Sequence, residues 1–338
     1  MTISKARLET LLKKMPGQKI MVVGDIMLDE YLKGSVDRIS PEAPIPVVNL
    51  FNDTHRDVRL GGAANVFNNI ASLGNKNVFL CGVIGDDRDG SMIKQRITAL
   101  GIATGGLIVD PLRPTTVKTR IIAHSQQVMR LDREERAPVA AATRGKIIRV
   151  IKKHMGALDA VIFSDYEKGV ITRELLEEVL PLLSAKKNII VAVDPKFSNF
   201  RHFKNITIIV PNRKEASGFV RHEIMSNDDA RAAAQDILAS LHCECVLIKL
   251  GEHGMLLVDR KGHAVQIKTA AEQVYDVTGA GDTVISTLVL ARTAGATWEE
   301  AARIANVAAG IVIHYVGTSA VTARQLKSAI LENTFIET

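Results

Sequence analysis

The chain has 338 residues, 46% hydrophobic and 24% charged, a balance that suits a folded globular protein and argues against both a disordered chain and a membrane protein. Lysine and arginine outnumber aspartate and glutamate by 43 to 37, so the summed field favours an anionic ligand. Nucleic acid fits poorly, because aromatic residues make up only 4% and the pairs Lys13-Lys14, Lys152-Lys153 and Lys186-Lys187 are scattered without stacking residues between them.

The N-terminal run Met1-Thr-Ile-Ser-Lys-Ala-Arg-Leu-Glu mixes charges of both signs and has no apolar signal segment. No later stretch reaches the ~18 consecutive apolar residues of a membrane span, so a soluble cytoplasmic protein with no membrane partner is expected. Cys81, Cys243 and Cys245 have neither disulfide nor zinc-site spacing, and all three are expected to be reduced.

Leu8, Leu11, Leu12 and Met15 recur at helical spacing before Pro16-Gly17, which predicts a short amphipathic helix packed on the body. Beyond it come five apolar, β-rich runs, at 20–25, 160–165, 189–194, 207–212 and 245–251, that end in a polar residue or glycine and give way to helical patterns. Such runs predict an α/β fold with a doubly wound, mainly parallel sheet and helices on both faces. Ligands of these sheets bind beyond the carboxyl ends of the strands, where the sequence places Asp25, Asp165, Asp194 and Asn212. Each of the four is equally an Asx turn or a helix cap, so it is their convergence on one edge that marks a site.

Residues 31–59, with Pro41, Pro44 and Pro46, and residues 107–131, with the alternating run from Thr116, lack helical periodicity. They read as two inserts of strands that pair into a small β-sheet lid over the ligand site, within a single domain spanning 1–338. Between them, Gly61-Gly62 start a helix whose buried face carries Val66, Ile70 and Leu73 and which stops at Gly74. Paired glycines let a polyol lie against the helix start, where Asn65 and Asp25 could hydrogen-bond its hydroxyls; helix capping accounts for Asn65 as well. A second Gly/Asp-rich loop occupies 82–90.

Asn212 and Glu215, three apart after a buried run, share one face of a first helical turn. The pair suits Mg²⁺, which keeps most of its waters and needs few protein oxygens, and it equally suits a capping box. In Val274-Tyr-Asp-Val-Thr-Gly-Ala-Gly-Asp-Thr283 a strand runs through a glycine-rich turn into a helix. Gly279 and Gly281 allow close backbone approach, and the free amides and positive end of the helix would cradle a phosphate. Asp282, beside that cradle, is placed to take the proton of an attacking hydroxyl; capping its own helix is the plainer role. The chain has no P-loop, no His-Glu-x-x-His and no Gly-x-Ser-x-Gly, which leaves P-loop, zinc-peptidase and α/β-hydrolase readings without support.

Taken in order, Gly61-Gly62 with Asn65 and Gly74, the 82–90 loop, Asn212-x-x-Glu215 and Asp276-x-Thr-Gly-Ala-Gly-Asp282 resemble the ribokinase (phosphofructokinase-B type) sugar kinases over nearly the whole chain. The resemblance implies an ATP-dependent phosphotransferase with an α/β body and a β-lid. Asp282 would be the base, Gly279, Ala280 and Gly281 the anion hole, and Asn212 and Glu215 the Mg²⁺-nucleotide residues, acting partly through water. ATP would lie in the groove near Lys249, Gly251 and Asn306. One position departs from the family pattern: the customary Thr after Asp276 is Val277, which puts in doubt any monovalent-cation site on that loop.

Within the family, Asp25-Ile-Met-Leu-Asp29, Asp37-Arg-Ile-Ser-Pro-Glu-Ala-Pro-Ile-Pro46, Ser164-Asp-Tyr-x-Lys-Gly169 and the glycine-rich loop look like the D-glycero-β-D-manno-heptose 7-phosphate kinases. These use ATP to phosphorylate the anomeric hydroxyl, on the route to ADP-heptose for the lipopolysaccharide core. The alternative is a kinase of the same family acting on another sugar, sugar phosphate or nucleoside. A phosphorylated acceptor accords with the basic balance and with Arg38, Lys118, Arg120, Arg130, Lys168 and Lys196 near predicted lid or strand ends. Many relatives carry a C-terminal nucleotidyltransferase domain. No His-x-Gly-His occurs here, so the chain reads either as a stand-alone kinase or as the kinase half of a larger protein. Exposed edges on the lid sheet predict a homodimer formed through the lid.

Overall fold

Aliphatic, β-branched runs become strands buried on both faces, and the computed structural model places them in one large sheet. It describes residues 3–332 apart from 51–55, 125 and 271–274. Part of each expected lid insert (51–55 and 125) and Val274 at the head of the glycine-rich run thus lie outside the described residues.

The strands in chain order are β1 (Ile20–Gly24), β2 (Ile26–Ile39), β3 (Pro46–Leu50), β4 (Arg56–Gly62), β5 (Val78–Gly85), β6 (Leu107–Asp110), β7 (Thr116–Ala123) and β8 (Gln126–Arg133). There follow β9 (Ala160–Ser164), β10 (Ile190–Asp194), β11 (Ile208–Ile209), β12 (Cys245–Lys249), β13 (Met255–Asp259) and β14 (Ala264–Ile267). The helices are α1 (Lys5–Lys14), α2 (Ala63–Ser72), α3 (Arg88–Ala99), α4 (Ala141–His154), α5 (Arg173–Ser184), α6 (Arg213–Val220), α7 (Asn227–Leu241), α8 (Ala280–Thr293), α9 (Trp298–Val312) and α10 (Ala323–Glu332).

Among the described residues the main sheet has the order β14-β13-β12-β11-β10-β9-β1-β5-β6. Pairing is parallel from β12 to β6, and the β13–β14 hairpin adds an antiparallel edge. All five runs expected as strands lie side by side in the parallel part. Strand residues point alternately to the two faces, so Ile20 and Val22 join the core beneath α1, α2, α3, α8, α9 and α10, while Met21 and Val23 join the core beneath α4 to α7. The helix expected from Leu8 to Met15 is α1, which Ser4 caps and which gives way to a single 3₁₀ turn at Met15–Gly17.

The second sheet is the lid. Its backbone is the 14-residue β2, which starts immediately after Asp25, so the chain passes from the main sheet into the lid without a loop. β7 pairs parallel to β2 on one edge, β8 extends that side, and β4 and β3 pair antiparallel on the other edge. The lid segments therefore start and stop elsewhere than expected. The first begins at Ile26 and runs to Gly62, and residues 107–110 belong to the main sheet as β6 because their apolar run pairs with β5.

Among the described residues no helix is long and apolar enough to cross a membrane. The three cysteines are free and buried, and burial pushes each thiol up to about 12, so they act as packing residues.

Candidate active site

The glycine-rich turn enters α8 through Gly279 in the left-handed region (φ 81°), which glycine reaches without strain. A Cβ at 279 would lie 2.8 Å from Asn65 Nδ2, so the turn also needs glycine for space. Among the described residues no side chain caps the helix, which leaves its first amides and positive dipole end open to an anion. Above the turn, Lys249 Nζ at the end of β12 would sit 3.1 Å from a Cβ on Gly281, and it donates to Asp194 Oδ1 at 2.6 Å. The anion cradle thus has a lysine at its rim.

Asp282, in the first turn of α8, is 3% exposed. Its Oδ1 accepts a hydrogen bond from Tyr166 Oη at 2.6 Å and its Oδ2 one from Asn65 Nδ2 at 2.8 Å. Burial and the neighbouring Asp194 push its carboxyl up to about 7, against the pull of the two donors and of Lys249. A carboxylate that titrates near neutrality can take a proton from a hydroxyl and give it up again. Asn65 itself is held by Asn69, whose Oδ1 accepts from Thr283 Oγ1 at 3.0 Å, so the network ties α2 to α8.

Asp25, expected to meet a substrate hydroxyl, is engaged by backbone amides. Its Oδ2 accepts from the amides of Tyr166 (2.7 Å) and Lys168 (3.1 Å), and its Oδ1 from that of Val170 (3.1 Å). It is a buried anchor for the loop after β9, and its neighbour Asp165 likewise accepts from Glu167 N and Asn199 Nδ2. Burial raises both carboxyls, and the proximity of Asp25 helps take Asp165 to about 7.

The acid that reaches the lid side of the cleft is Asp29, in β2. Its Oδ1 pairs with Arg120 at 2.5 Å, and a Cβ on Gly61 would strike its Oδ2 at 2.3 Å. Gly62 is in the left-handed region (φ 57°), where a Cβ would meet the Asp25 carbonyl at 2.5 Å. The glycine pair is thus what lets the start of α2 lie against β2. From sequence, Asp29 and Tyr166 entered only as members of motifs, with no role of their own, and Asp194 only as one of four polar strand ends. The available signals were an acid inside the apolar start of β2, a tyrosine directly after a strand-end Asp, and an Asp at a strand end.

Asn212 and Glu215 realise the capping alternative in full. Asn212 Oδ1 accepts from Glu215 N (2.9 Å) and Glu215 Oε2 from Asn212 N (2.8 Å), while Glu215 Oε1 pairs with Lys196. Both carboxylate oxygens are therefore engaged at the mouth of β11. Among the described residues no group of three or more His, Cys, Asp or Glu is disposed to hold a metal ion by itself.

Most of the basic residues expected to hold a substrate phosphate have carboxylate partners within the chain. Lys118 pairs with Asp132 (3.3 Å) and Glu134 (3.5 Å), Lys168 with Glu134 (2.8 Å), Arg130 with Asp132 (2.9 Å), and Arg120 with Asp29. Arg38 is exposed near the end of β2, beside β3. Gly251 is exposed in a left-handed turn after β12, and Asn306 in α9 is buried, donating to the Lys268 carbonyl at 2.8 Å. Asn306 is thereby a link between α9 and the strand-end loop. Under the lid a cavity of about 660 Å³ is lined by Tyr31, Lys33, Arg120, His124, Asp276 and Thr278, with the Tyr31 ring between Arg59 and Arg120 at 5.3 Å each. A cavity of about 750 Å³ opens at the amino ends of β10 and β11, around Lys186, Arg260 and Trp298, and is lined by Arg292 and Thr293 at the other end of α8 from Asp282.

Residues 18–324 match the model of the pfkB family carbohydrate kinases. The chain belongs to this family. It is accordingly a kinase that transfers a phosphoryl group to a sugar hydroxyl. Curated relatives include the bifunctional protein HldE of Geotalea uraniireducens, 42% identical over 97% of this chain and 66% of the relative, and that of Desulfatibacillum aliphaticivorans, 43% identical over 92% and 63%. The chain thus spans just under two-thirds of the length of these relatives. In fold it is similar to Escherichia coli phosphofructokinase-2 in complex with substrates and products (TM-score 0.73, 20% identity, 93% of this chain and 98% of that one). It is likewise similar to Thermotoga maritima ribokinase (TM-score 0.71, 24% identity, 94% and 100%).

Proposed function

We propose that this member of the family transfers the γ-phosphoryl group of ATP to the anomeric hydroxyl of D-glycero-β-D-manno-heptose 7-phosphate. The product would be the 1,7-bisphosphate, on the route to ADP-heptose for the lipopolysaccharide core, made in the cytoplasm. The observation that carries the kinase chemistry is the buried Asp282 at the open start of α8, beside Lys249. The heptose assignment is supported by the motifs at 25–29, 37–46 and 164–169 and by the relatives named HldE.

The acceptor would enter between the lid and Gly61-Gly62, with Asp29 and Asn65 toward its hydroxyls. Its anomeric oxygen attacks the γ-phosphorus as the proton passes to Asp282; the bond from phosphorus to the bridging oxygen breaks, and ADP leaves. Amides at Gly279–Gly281 and the Lys249 ammonium would hold the charge that builds on the phosphoryl oxygens. A hard cation at the mouth of β11 would have to be held through water, because Glu215 is engaged by Lys196 and Asn212 and cannot offer a bare ligand set. A magnesium ion there would neutralise the β- and γ-phosphates when bound.

Among the described residues the outer edge of the lid at β8 is unpaired, and we infer that two chains associate through it.

The test is ADP release by the wild type and by Asp282→Asn with heptose 7-phosphate, ribose, fructose 6-phosphate and adenosine. Heptose 7-phosphate should give the highest kcat/KM, and the variant should retain ATP binding while losing at least ~10²-fold in turnover. Near-normal turnover would remove Asp282 as the base, and preference for another acceptor would move the substrate.

A further inference from the structure

The hydrogen bond between Tyr166 and Asp282 joins groups 116 residues apart and stands outside every role assigned so far. Tyr166 projects from the loop after β9, with its hydroxyl end turned in to the base. That end is buried among the carboxylates of Asp282, Asp194 and Asp29, which all oppose loss of the phenolic proton. The hydroxyl therefore serves as a donor. The side chain is fixed from behind, since its own backbone amide donates to Asp25, and Lys196 Nζ lies 5.5 Å from the centre of its ring.

We propose that Tyr166 is a positioning residue for phosphoryl transfer, whose hydroxyl holds the Asp282 carboxylate in the orientation and the ionised form that a general base needs. Asp25, at the end of β1, acts one step further back by fixing the loop that carries Tyr166. The inference rests on Asp282 being the base, and it adds a group that works through it.

Four elements face Asp282. α2 brings the Asn65 amide, the β9 loop brings Tyr166, β10 brings Asp194, and β12 brings Lys249. Asp194 and burial favour the protonated acid, whereas Asn65, Tyr166 and Lys249 favour the carboxylate. Removal of the tyrosine hydroxyl deletes one contribution to the second group and leaves the first intact. The base must then titrate at higher pH.

Tyr166→Phe removes only that oxygen. The acid limb of the kcat profile for ATP and the preferred sugar acceptor should move up by roughly one to two pH units, the scale of a lost hydrogen bond to a charged group. Turnover below the limb should fall by ~10- to 100-fold and recover in alkaline buffer. The KM for ATP should change little. A uniform loss at every pH with the limb in place would make Tyr166 a structural residue only and overturn the proposal. So would an unchanged profile. If instead Asp282→Asn retained turnover, the base itself would be wrong, a failure that the Tyr166 profile alone does not produce.

Should the variant not fold, the wild type still answers. The chain has four tyrosines, so ¹³Cζ-tyrosine labelling gives four signals, and that of Tyr166 is the one displaced in Asp282→Asn. It should follow the same midpoint as the Asp282 carboxyl carbon. Absence of any tyrosine signal with that midpoint would overturn the coupling.

Discussion

Asp194 Oδ1 accepts a hydrogen bond from Lys249 Nζ at 2.6 Å, which ties the end of β10 to that of β12 across the short β11. The pair stands between the glycine-rich turn and the Asn212 cap, and it leaves Asp194 with a counter-charge beside Asp282. Lys249→Met would remove that charge and keep the stem. Asp194 would then be an unpaired buried carboxylate, at a stability cost of roughly 3 kcal/mol. Asp282 would be harder to ionise, so turnover should fall by ~10- to 100-fold with the acid limb moved to higher pH. Thermal melting and a pH–rate profile check both arms; an unmoved limb would separate Lys249 from the base.

Gly61 makes a different demand, because a methyl group there would strike Asp29 Oδ2 at 2.3 Å. Gly61→Ala must push Asp29 off its Arg120 partner and away from the acceptor cleft. The expected result is a rise of ~10-fold or more in KM for the sugar, with ATP affinity unchanged, since Lys249 and α8 are not touched. Calorimetric titration with each substrate in turn reads the split. Equal weakening of both would show that the glycine serves the whole cleft.

Buried carboxyls give the stability of this protein an unusual pH dependence. Asp25, Asp165 and Asp282 all titrate above their ordinary range in the folded state. Such a group binds more protons folded than unfolded, so stability falls as pH rises from the unfolded value near ~4 through the folded one. For Asp165 and Asp282 that upper limit is about 7. Glu134 runs the other way: Lys168, Arg136 and Lys118 hold it at about 2, against its burial, so its contribution is present above ~4.5 and is lost as pH falls toward 2. Urea unfolding should therefore give the highest stability near pH ~5, falling toward pH ~7 by up to ~1.4 kcal/mol per pH unit for each raised group. A midpoint that rises steadily from pH 5 to 8 would contradict the burial of these acids.

The parallel strands were readable because a strand covered on both faces must be apolar along its length, and 20–23, 160–163 and 189–193 are. The β13–β14 hairpin has the same kind of residues, and only the antiparallel register distinguishes it. Asp282 and Asn65 were readable from local glycine turns, yet their hydrogen bond spans 217 residues and no local pattern announces it. Tyr166 was hidden in the same way, 116 residues from its partner Asp282. The partners of Asp25 were hidden for a related reason: a polar strand end marks the edge of the sheet, while the direction of its oxygens depends on a loop 141 to 145 residues later. The partners of the lid cations were not legible because register supplies them. Lys118 stands opposite Asp132 in the β7–β8 ladder, so a charge that looks free along the chain is half of a cross-strand pair.

The proposed association through the lid rests on β8, whose eight residues are all exposed and whose outer edge has no strand beside it among the described residues. Met129 and Leu131 in that strand are 53% and 52% exposed, a poor arrangement for an isolated edge, which proteins usually protect with charge, proline or a covering element. A second lid laid across it would bury both side chains and satisfy the open backbone groups. Sedimentation at micromolar concentration should therefore show a dimer for the wild type. Met129→Asp with Leu131→Asp should give a monomer, because like charges would face each other across the two-fold axis. Both positions lie away from Asp282, so the monomer should still bind ATP, and any loss should appear in the sugar KM through a looser lid. A wild type that sediments only as a monomer removes the dimer, and a charged variant that remains dimeric moves the interface to another face.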